Sequence, residues 1–436
     1  MIRFVLPVVL ALSAFQAHAE IKIQQVTSPG GISAWLVEEH SIPFTALDMR
    51  FAGGAALDEA GKRGATYLMS GLLEEGTGDM DARDFAKAED ALAASYGYSA
   101  NSDSMSISAR FLSENRDEAV DLLRRSIVEP TFSEDAIARV KDQVLSGIRA
   151  DAEDPSSIAS SKFDALAYGD HPYATAIEGT EDSVAALTRD DLMTAKNNVL
   201  VKDRVSIAAV GDITPEQLGT LLDSLLGALP TGGAPLPQTV DLSLTPGVTI
   251  VPYDTPQAQV VWGQKGLGME DPDFFAAYLL NTILGGGGFE SRLMHEVREK
   301  RGLTYGVYSY LADRDFADLW GGSVASANDR VAESISVIRD EWARIAKDGV
   351  TEEELDSAKK YLTGAYPLRF DGNGTIASIL VGMQHDNMPI DYPATRNDKV
   401  NAVTLEEINR VARERLHPDQ LRFVVVGKPV GLDPVN

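Results

Sequence analysis

The 436-residue chain contains no cysteine. Disulfides, a cysteine nucleophile and every thiolate-ligated zinc, haem or iron–sulfur centre are thereby excluded. Basic residues are scarce: 39 Lys and Arg stand against 65 Asp and Glu, a net charge of −26. Phosphate recognition needs a basic patch, so nucleic acid and anionic membrane surfaces are not expected partners. Histidine is rarer still, with six in the chain. A histidine-based zinc site usually starts from two imidazoles one helical turn apart. His40, His171, His295, His385 and His417 all stand alone, so no such local pair exists. No Gly-x-Ser-x-Gly elbow and no dinucleotide fingerprint after a strand is present. Beyond the N-terminus, no stretch approaches the roughly eighteen apolar residues of a membrane-spanning helix.

What is present begins with an export signal. Arg3 gives a positive start, Phe4 to Phe15 a short apolar run, and Ala17-His18-Ala19 a small-x-small cleavage site. Residues 1–19 are therefore expected to be removed after Ala19, and the mature protein to be periplasmic or secreted. The full chain is 44% hydrophobic and 24% charged, ordinary for a folded protein with sizeable cores.

One composition break divides the chain. Leu229-Pro230-Thr231-Gly232-Gly233-Ala234-Pro235-Leu236-Pro237 holds three prolines and two glycines without a charge, and reads as a linker. The two sides resemble each other. Thr188-Arg189-Asp190-Asp191-Leu192 leads to the apolar run Val205–Gly211, and Thr404-Leu405-Glu406-Glu407-Ile408 leads at the same interval to Leu421–Gly427. A threonine with an acid three residues on is a helix-start signature in both copies. Tyr67-Leu68-Met69 and Tyr278-Leu279-Leu280 form a second correspondence, and ordered matches flanking a linker imply duplication of a domain of about 200 residues. The expected boundaries are 20–228, a 229–240 linker, and 241–436.

Each half mixes strands and helices. Met105, Ile107, Ala109 and Phe111 alternate with polar residues as in a half-buried strand. Ala119, Leu122, Leu123, Ser126 and Ile127 follow helical spacing after a Ser113 cap. Ser133 and Thr351 are expected to cap further helices, and Thr214-Pro215-Glu216-Gln217 is a capping box. Strand and helix runs do not alternate strictly, which favours α+β layers over a doubly wound sheet. Gly285-Gly286-Gly287-Gly288 lacks the lysine and hydroxyl of a phosphate loop, and by itself reads as a flexible connection after a helix ending at Leu284.

Several segments together resemble the pitrilysin and mitochondrial-processing-peptidase superfamily. Gly64–Thr77 is similar to its first helix; Glu153-Asp154-Pro155, His171-Pro172-Tyr173 and Gly179-Thr180 match its next landmarks in order. Arg298-Glu299-Lys300-Arg301-Gly302-Leu303-Thr304-Tyr305-Gly306-Val307-Tyr308 matches its second-domain signature. The resemblance spans nearly the whole chain after the export signal. It implies two homologous α+β domains, each a mainly antiparallel sheet packed with helices, forming a clam-shaped half chamber.

Active members carry an inverted zinc motif, His-x-x-Glu-His, with a distal glutamate as third ligand. The imidazoles lie on one helical face, and the glutamate between them is the base for a zinc-bound water. Here those positions hold Tyr67, Ser70 and Gly71, and the distal one falls on Gly147. A phenol, a hydroxyl and two glycines cannot hold zinc against water, and the neighbouring Glu74 and Glu75 lack a nitrogen ligand to work with. In the family an arginine and a tyrosine approach the zinc site from the opposite domain; Arg298 and Tyr305 match them. The resemblance also implies that Gly285, Gly286, Gly287 and Gly288 correspond to a glycine-rich substrate loop of the non-catalytic processing-peptidase subunit. The expected protein is thus a pseudo-subunit that binds no metal or cofactor itself. Its partner would be a catalytic relative with an intact motif and the zinc, and its ligands peptide substrates. A scaffolding protein without catalytic role and an autonomous peptidase with an atypical metal site are the alternatives.

Overall fold

The computed structural model describes residues 21–434, so the export signal expected at 1–19 lies outside the described residues. Two open sheets carry the fold. Strands β1 (Gln24–Thr27), β2 (Ser33–Glu38) and β3 (Phe44–Ala52) open the first half. A two-residue pair, β4 (Gly76–Thr77) and β5 (Met80–Asp81), stands apart, and β6 (Ser95–Ala100), β7 (Ser104–Leu112) and β8 (Val205–Gly211) complete that half. The second half supplies β9 (Gly247–Pro252), β10 (Gln257–Lys265), β11 (Val307–Arg314), β12 (Ala317–Ala327) and β13 (Arg422–Gly427).

The first sheet runs β1-β2-β8-β3-β7-β6 and the second β11-β12-β10-β13-β9. Read from opposite ends, these are the same order, with β1 as an extra edge. In each, one parallel pair (β2–β8, β9–β13) interrupts otherwise antiparallel neighbours. The duplication expected from the threonine-capped helices and apolar runs is therefore present in the strand pairing itself. Both sheets are mainly antiparallel and helix-packed, as expected of an α+β chain.

Local sequence accounts for most elements. Met105, Ile107, Ala109 and Phe111 of β7 are buried, while Ser108 and Arg110 face out. The Ser133, Thr188, Thr214 and Thr351 side chains each accept a backbone N–H at the start of a helix. Ser113 does not cap: the helix starts at Arg116, and the Ser113 hydroxyl donates to Asp212 instead, at 2.5 Å. A cap must accept a backbone N–H, and Ser113 is instead the first residue of a 3-10 turn, Ser113–Asn115, that separates it from the helix start.

The two sheets are covered in a way that crosses the linker. One face of the first sheet, with Leu47, Met49, Phe51 and Ile207, packs on helices of its own half. The opposite face, with Trp35, Ala46, Ala208 and Val210, packs on Ala377, Leu380 and Val381 of the Asn373–His385 helix from the second half. Conversely, Phe163, Ala167 and Tyr168 of the Pro155–Tyr168 helix cover Leu319 and Val424 of the second sheet. The two exchanged helices occupy equivalent places in the repeat. Burial on both faces explains why Ile207–Gly211 and Phe423–Gly427 are unbroken apolar runs rather than alternating ones. Gln384 of the exchanged helix adds polar specificity. Its side-chain nitrogen donates to Ile207 O at 2.6 Å, one residue before the first residue of β8 that pairs with β2.

The 229–240 segment has no regular structure, yet it is held: Leu229 is buried, and Arg204 donates to Ala234 O at 2.8 Å. Beyond it, Val240 N–H donates to Phe316 O and Ser243 N–H to Ala167 O, so the strap joins both halves.

Because the interior is shared, Leu380→Ala should destabilise the whole chain by about 2–5 kcal/mol, the usual range for a buried leucine. Thermal unfolding followed by circular dichroism should remain one transition at lower temperature. Two transitions of which only one moves would contradict the shared core.

Candidate functional site

The degenerate zinc positions lie where the Ala65–Ser70 helix packs against the Glu134–Glu153 helix. The first of these has six residues, far short of the Gly64–Thr77 span that the resemblance implies. Its start is set by Asp58, a buried carboxylate that accepts Gly64 N–H at 2.9 Å, Thr66 N–H at 3.0 Å and the Thr66 hydroxyl at 2.6 Å. Burial nonetheless pushes that carboxyl up to about 6. Its end is set by the Ser70 hydroxyl, which donates to Tyr67 O at 2.8 Å, and by Gly71 as the cap. Such back-bonding by serine competes with helix continuation.

Each side chain here is committed elsewhere or absent. Burial raises the Tyr67 phenol above its ordinary range, and the charges of Glu178 and Asp151 push the same way, so the group stays protonated. A side chain at Gly71 would rest on Val140 at an ordinary 3.5 Å, and one at Gly147 would meet nothing within 4 Å. The backbone has room for ligands; the side chains that would ligate are missing. Glu75 is ion-paired with Arg139, and Glu74 is raised by burial and by Glu75 and Glu89. Among the described residues, no group of three or more His, Asp or Glu could hold a metal ion. The histidines are dispersed: His40 pairs with Asp212 and Glu38, and His385 with Asp315 at 3.2 Å. His171 accepts Tyr173 N–H at 3.3 Å.

Arg298 and Tyr305 sit on one connected segment of the second half. A wide π-type turn, Met294–Glu299, carries Arg298, and Tyr305 lies two residues before β11. Neither residue is taken up by the structure. Tyr305 is 85% exposed, and no carboxylate pairs with Arg298 among the described residues. Instead the Arg298 guanidinium lies 4.6 Å over the ring centre of Phe289, itself largely exposed. No hydrogen bond or ion pair joins this segment to Tyr67, Ser70 or the Glu134–Glu153 helix among the described residues.

The segment is mounted rigidly by Glu296, which sequence reasoning passed over. Its buried carboxylate accepts from Lys300 at 2.6 Å and Arg301 at 2.7 Å. The i,i+4 placement of Glu296 before Lys300 is a legible helix-pair signal. Burial opposes the charge on Glu296, but the hydrogen bonds from Lys300 and Arg301 overcome it and hold the carboxyl down to about 2. The Thr304 hydroxyl donates to Ala325 O at 2.7 Å and Ser326 to Leu303 O at 2.7 Å, tying the approach to Tyr305 onto β12.

The glycine run is not the flexible connection its composition suggests. The α-helix Phe274–Asn281 passes into a π-type turn over Thr282–Gly286, in place of an α-helix reaching Leu284. A Cβ at Gly285 would stand 2.7 Å from Ser309 N, one at Gly286 2.7 Å from Asn281 Nδ2, and one at Gly287 2.6 Å from Thr282 O. Gly288 is left-handed, at φ +64. Close packing on β11 demands glycine at 285, the preceding helix end at 286 and 287, and the left-handed backbone at 288; the run delivers Phe289 onto Arg298. This was invisible in sequence because it depends on the distance between a helix end and a strand.

Glu296→Gln should loosen this mount. The Glu296 carboxyl lies lower in the folded chain than its ordinary 4.5, so its contribution is present above pH 4.5 and is lost as pH falls towards 2. Its partners are partly exposed, so the contribution is on the order of 1–2 kcal/mol. Acid denaturation of wild type and Glu296→Gln should converge at low pH; equal offsets at pH 7 and pH 2 would refute the assignment.

Comparisons with known proteins agree with this architecture. Residues 35–181 match the family described as Insulinase (Peptidase family M16), and 186–362 match Peptidase M16 inactive domain. A Helicobacter pylori protein named Non-peptidase homolog YmxG is 27% identical over 392 residues, covering 89% of this chain and 90% of its own. An uncharacterized zinc protease of Mycobacterium tuberculosis is 29% identical over 412 residues, covering 91% of this chain and 92% of its own. The crystal structure of a peptidase M16 inactive domain from Pseudomonas fluorescens has a TM-score of 0.88 at 30% identity, covering 95% of this chain and 100% of that one. That of a protease from Helicobacter pylori, at 18% identity and a TM-score of 0.84, covers 93% of this chain and 100% of its own and shares the fold. The matches to both halves, with every position of the inverted motif replaced, place the chain in peptidase family M16 as an inactive-type member.

Proposed function

We propose that this chain is the non-catalytic subunit of an exported, heterodimeric zinc peptidase, and that it supplies Arg298 and Tyr305 to the zinc site of a partner carrying His-x-x-Glu-His. The observation that carries this reading is an asymmetry between the halves. The metal-binding half has lost every ligand, whereas the other half keeps Arg298 and Tyr305 accessible on a rigid mount. A scaffold has no use for an unpaired arginine and a solvent-facing tyrosine at that spacing.

The roles follow from the two side chains. The guanidinium fork suits a substrate carbonyl or carboxylate, and Phe289 beneath it restricts the plane in which it can bind. The Tyr305 hydroxyl is free to donate to the oxyanion that develops when a peptide carbonyl is attacked. Zinc in the partner would supply the activated water; this chain would orient the peptide and close the site.

The purified chain dialysed against micromolar zinc should retain no stoichiometric metal on elemental analysis; one tightly held zinc per chain would support the autonomous-peptidase alternative. Co-expression with a relative bearing the intact motif should yield a one-to-one complex by size-exclusion chromatography, burying above about 1,200 Å². In that complex Tyr305→Phe should lower peptide cleavage about a hundredfold, with assembly and melting temperature unchanged. Arg298→Lys, which keeps the charge but loses the fork, should also impair cleavage. Full activity in the partner alone, with no complex formed, would favour a scaffolding role.

A further inference from the structure

A cavity in the second half gathers cations that have no carboxylate partners. It has a volume of about 380 Å³ and lies among the Phe274–Asn281, Asn373–His385 and Tyr392–Ala402 helices. Phe274, Phe275, Tyr278, Tyr366 and Tyr392 form its aromatic walls. Arg396 lines it and is only 5% exposed. Its Nη1 donates to Leu362 O at 2.9 Å and to Asn397 Oδ1 at 3.0 Å. Its guanidinium lies 4.6 Å from the Tyr366 ring centre and 5.7 Å from that of Tyr278. No carboxylate pairs with it among the described residues, and none pairs with the exposed Arg369 on the same lining. Lys399 stands close by, with Nζ 5.4 Å from the Tyr392 ring centre and 5.8 Å from that of Phe275, and it too has no ion pair among the described residues. The one acid on the lining, Asp386, is pushed towards its neutral form by burial.

A buried guanidinium without an anion is costly, and aromatic faces compensate it only in part. In a chain with 65 acids against 39 bases, three unpaired cations around one cavity mark a place for an anion from outside. The walls demand more than an inorganic ion, since five rings, three methionines and one isoleucine would be left facing water. We propose that this cavity binds an organic carboxylate with an apolar body, its carboxylate held by Arg396 and Arg369 and its body packed among the rings. Two sources share this chemistry: the free C-terminus of a peptide ending in an apolar residue, and a free aromatic or fatty acid. The cavity also abuts the exchanged Asn373–His385 helix, so an occupant would brace the element that covers the first sheet.

Isothermal titration of the full chain tests the proposal with N-acetylphenylalanine, octanoate, and a tetrapeptide ending in phenylalanine, each compared with its C-terminal amide. At least one acid should bind saturably, and its amide about tenfold or more weakly. Tetrapeptide binding would identify a peptide C-terminus as the source; binding of the short acids alone would identify a free acid. Arg396→Met should abolish binding, but it removes a buried hydrogen bond to Leu362 and can cost folding. The exposed substitutions Arg369→Ala and Ser378→Trp, the latter narrowing the mouth, keep the question decidable: each should weaken binding several-fold with an unchanged melting temperature. The proposal is overturned by absence of saturable binding of every acid up to about 10 mM, by equal affinity for acid and amide, or by wild-type affinity in both exposed variants.

Discussion

The reciprocal exchange of two helices is the interaction on which the rest of this structure depends. Each sheet has two apolar faces, and its own half supplies helices for only one of them. The Pro155–Tyr168 helix leaves the first half to cover the second sheet, and the Asn373–His385 helix returns the cover. Neither half can bury its central strand by itself. A duplicated chain thereby becomes one cooperative unit, joined by apolar area rather than by a loose hinge.

Polar contacts then fix the register of that exchange. The family landmark His171-Pro172-Tyr173 meets the turn between β11 and β12. Arg314 lies 3.7 Å over the Tyr173 ring centre and donates to Ser102 Oγ at 3.0 Å. Phe316 N–H donates to the Tyr173 hydroxyl at 3.2 Å, and that hydroxyl in turn donates to Asp103. The landmark is thus structural in this chain: it holds one end of the second sheet against the first half. The opposite end of β11 remains free to present Tyr305.

The chain uses its few cations with economy. Arg314 rests on Tyr173, Arg298 on Phe289, Arg396 on Tyr366, and Arg339 lies 4.8 Å over the Phe423 ring centre. Aromatic faces let a guanidinium stay partly desolvated while keeping N–H donors available. Glu296 with Lys300 and Arg301 shows the other use, in which paired charge becomes a brace. Ion pairs make the frame, and stacking leaves Arg298 and Arg396 without an acid partner among the described residues.

How much of this the sequence held differs from level to level. Periodicity gave β7, threonine and serine caps gave five helix starts, and the repeated capped helix and apolar run gave the duplication, because each depends only on neighbours along the chain. That Tyr67, Ser70, Gly71 and Gly147 offer no imidazole or carboxylate was equally legible, since a missing side chain is missing in any fold. Ser113 opens a 3-10 turn and bonds the distant Asp212 carboxylate, a contact that no local pattern records. Gly285 to Gly287 read as slack and proved to be closely packed on β11 and on the preceding helix end, and the exchanged helices look in sequence like ordinary members of their own halves. Which helix covers which sheet, and which arginine is left without an acid, are decided by contacts between residues far apart in the chain, and only the tertiary structure sets those distances.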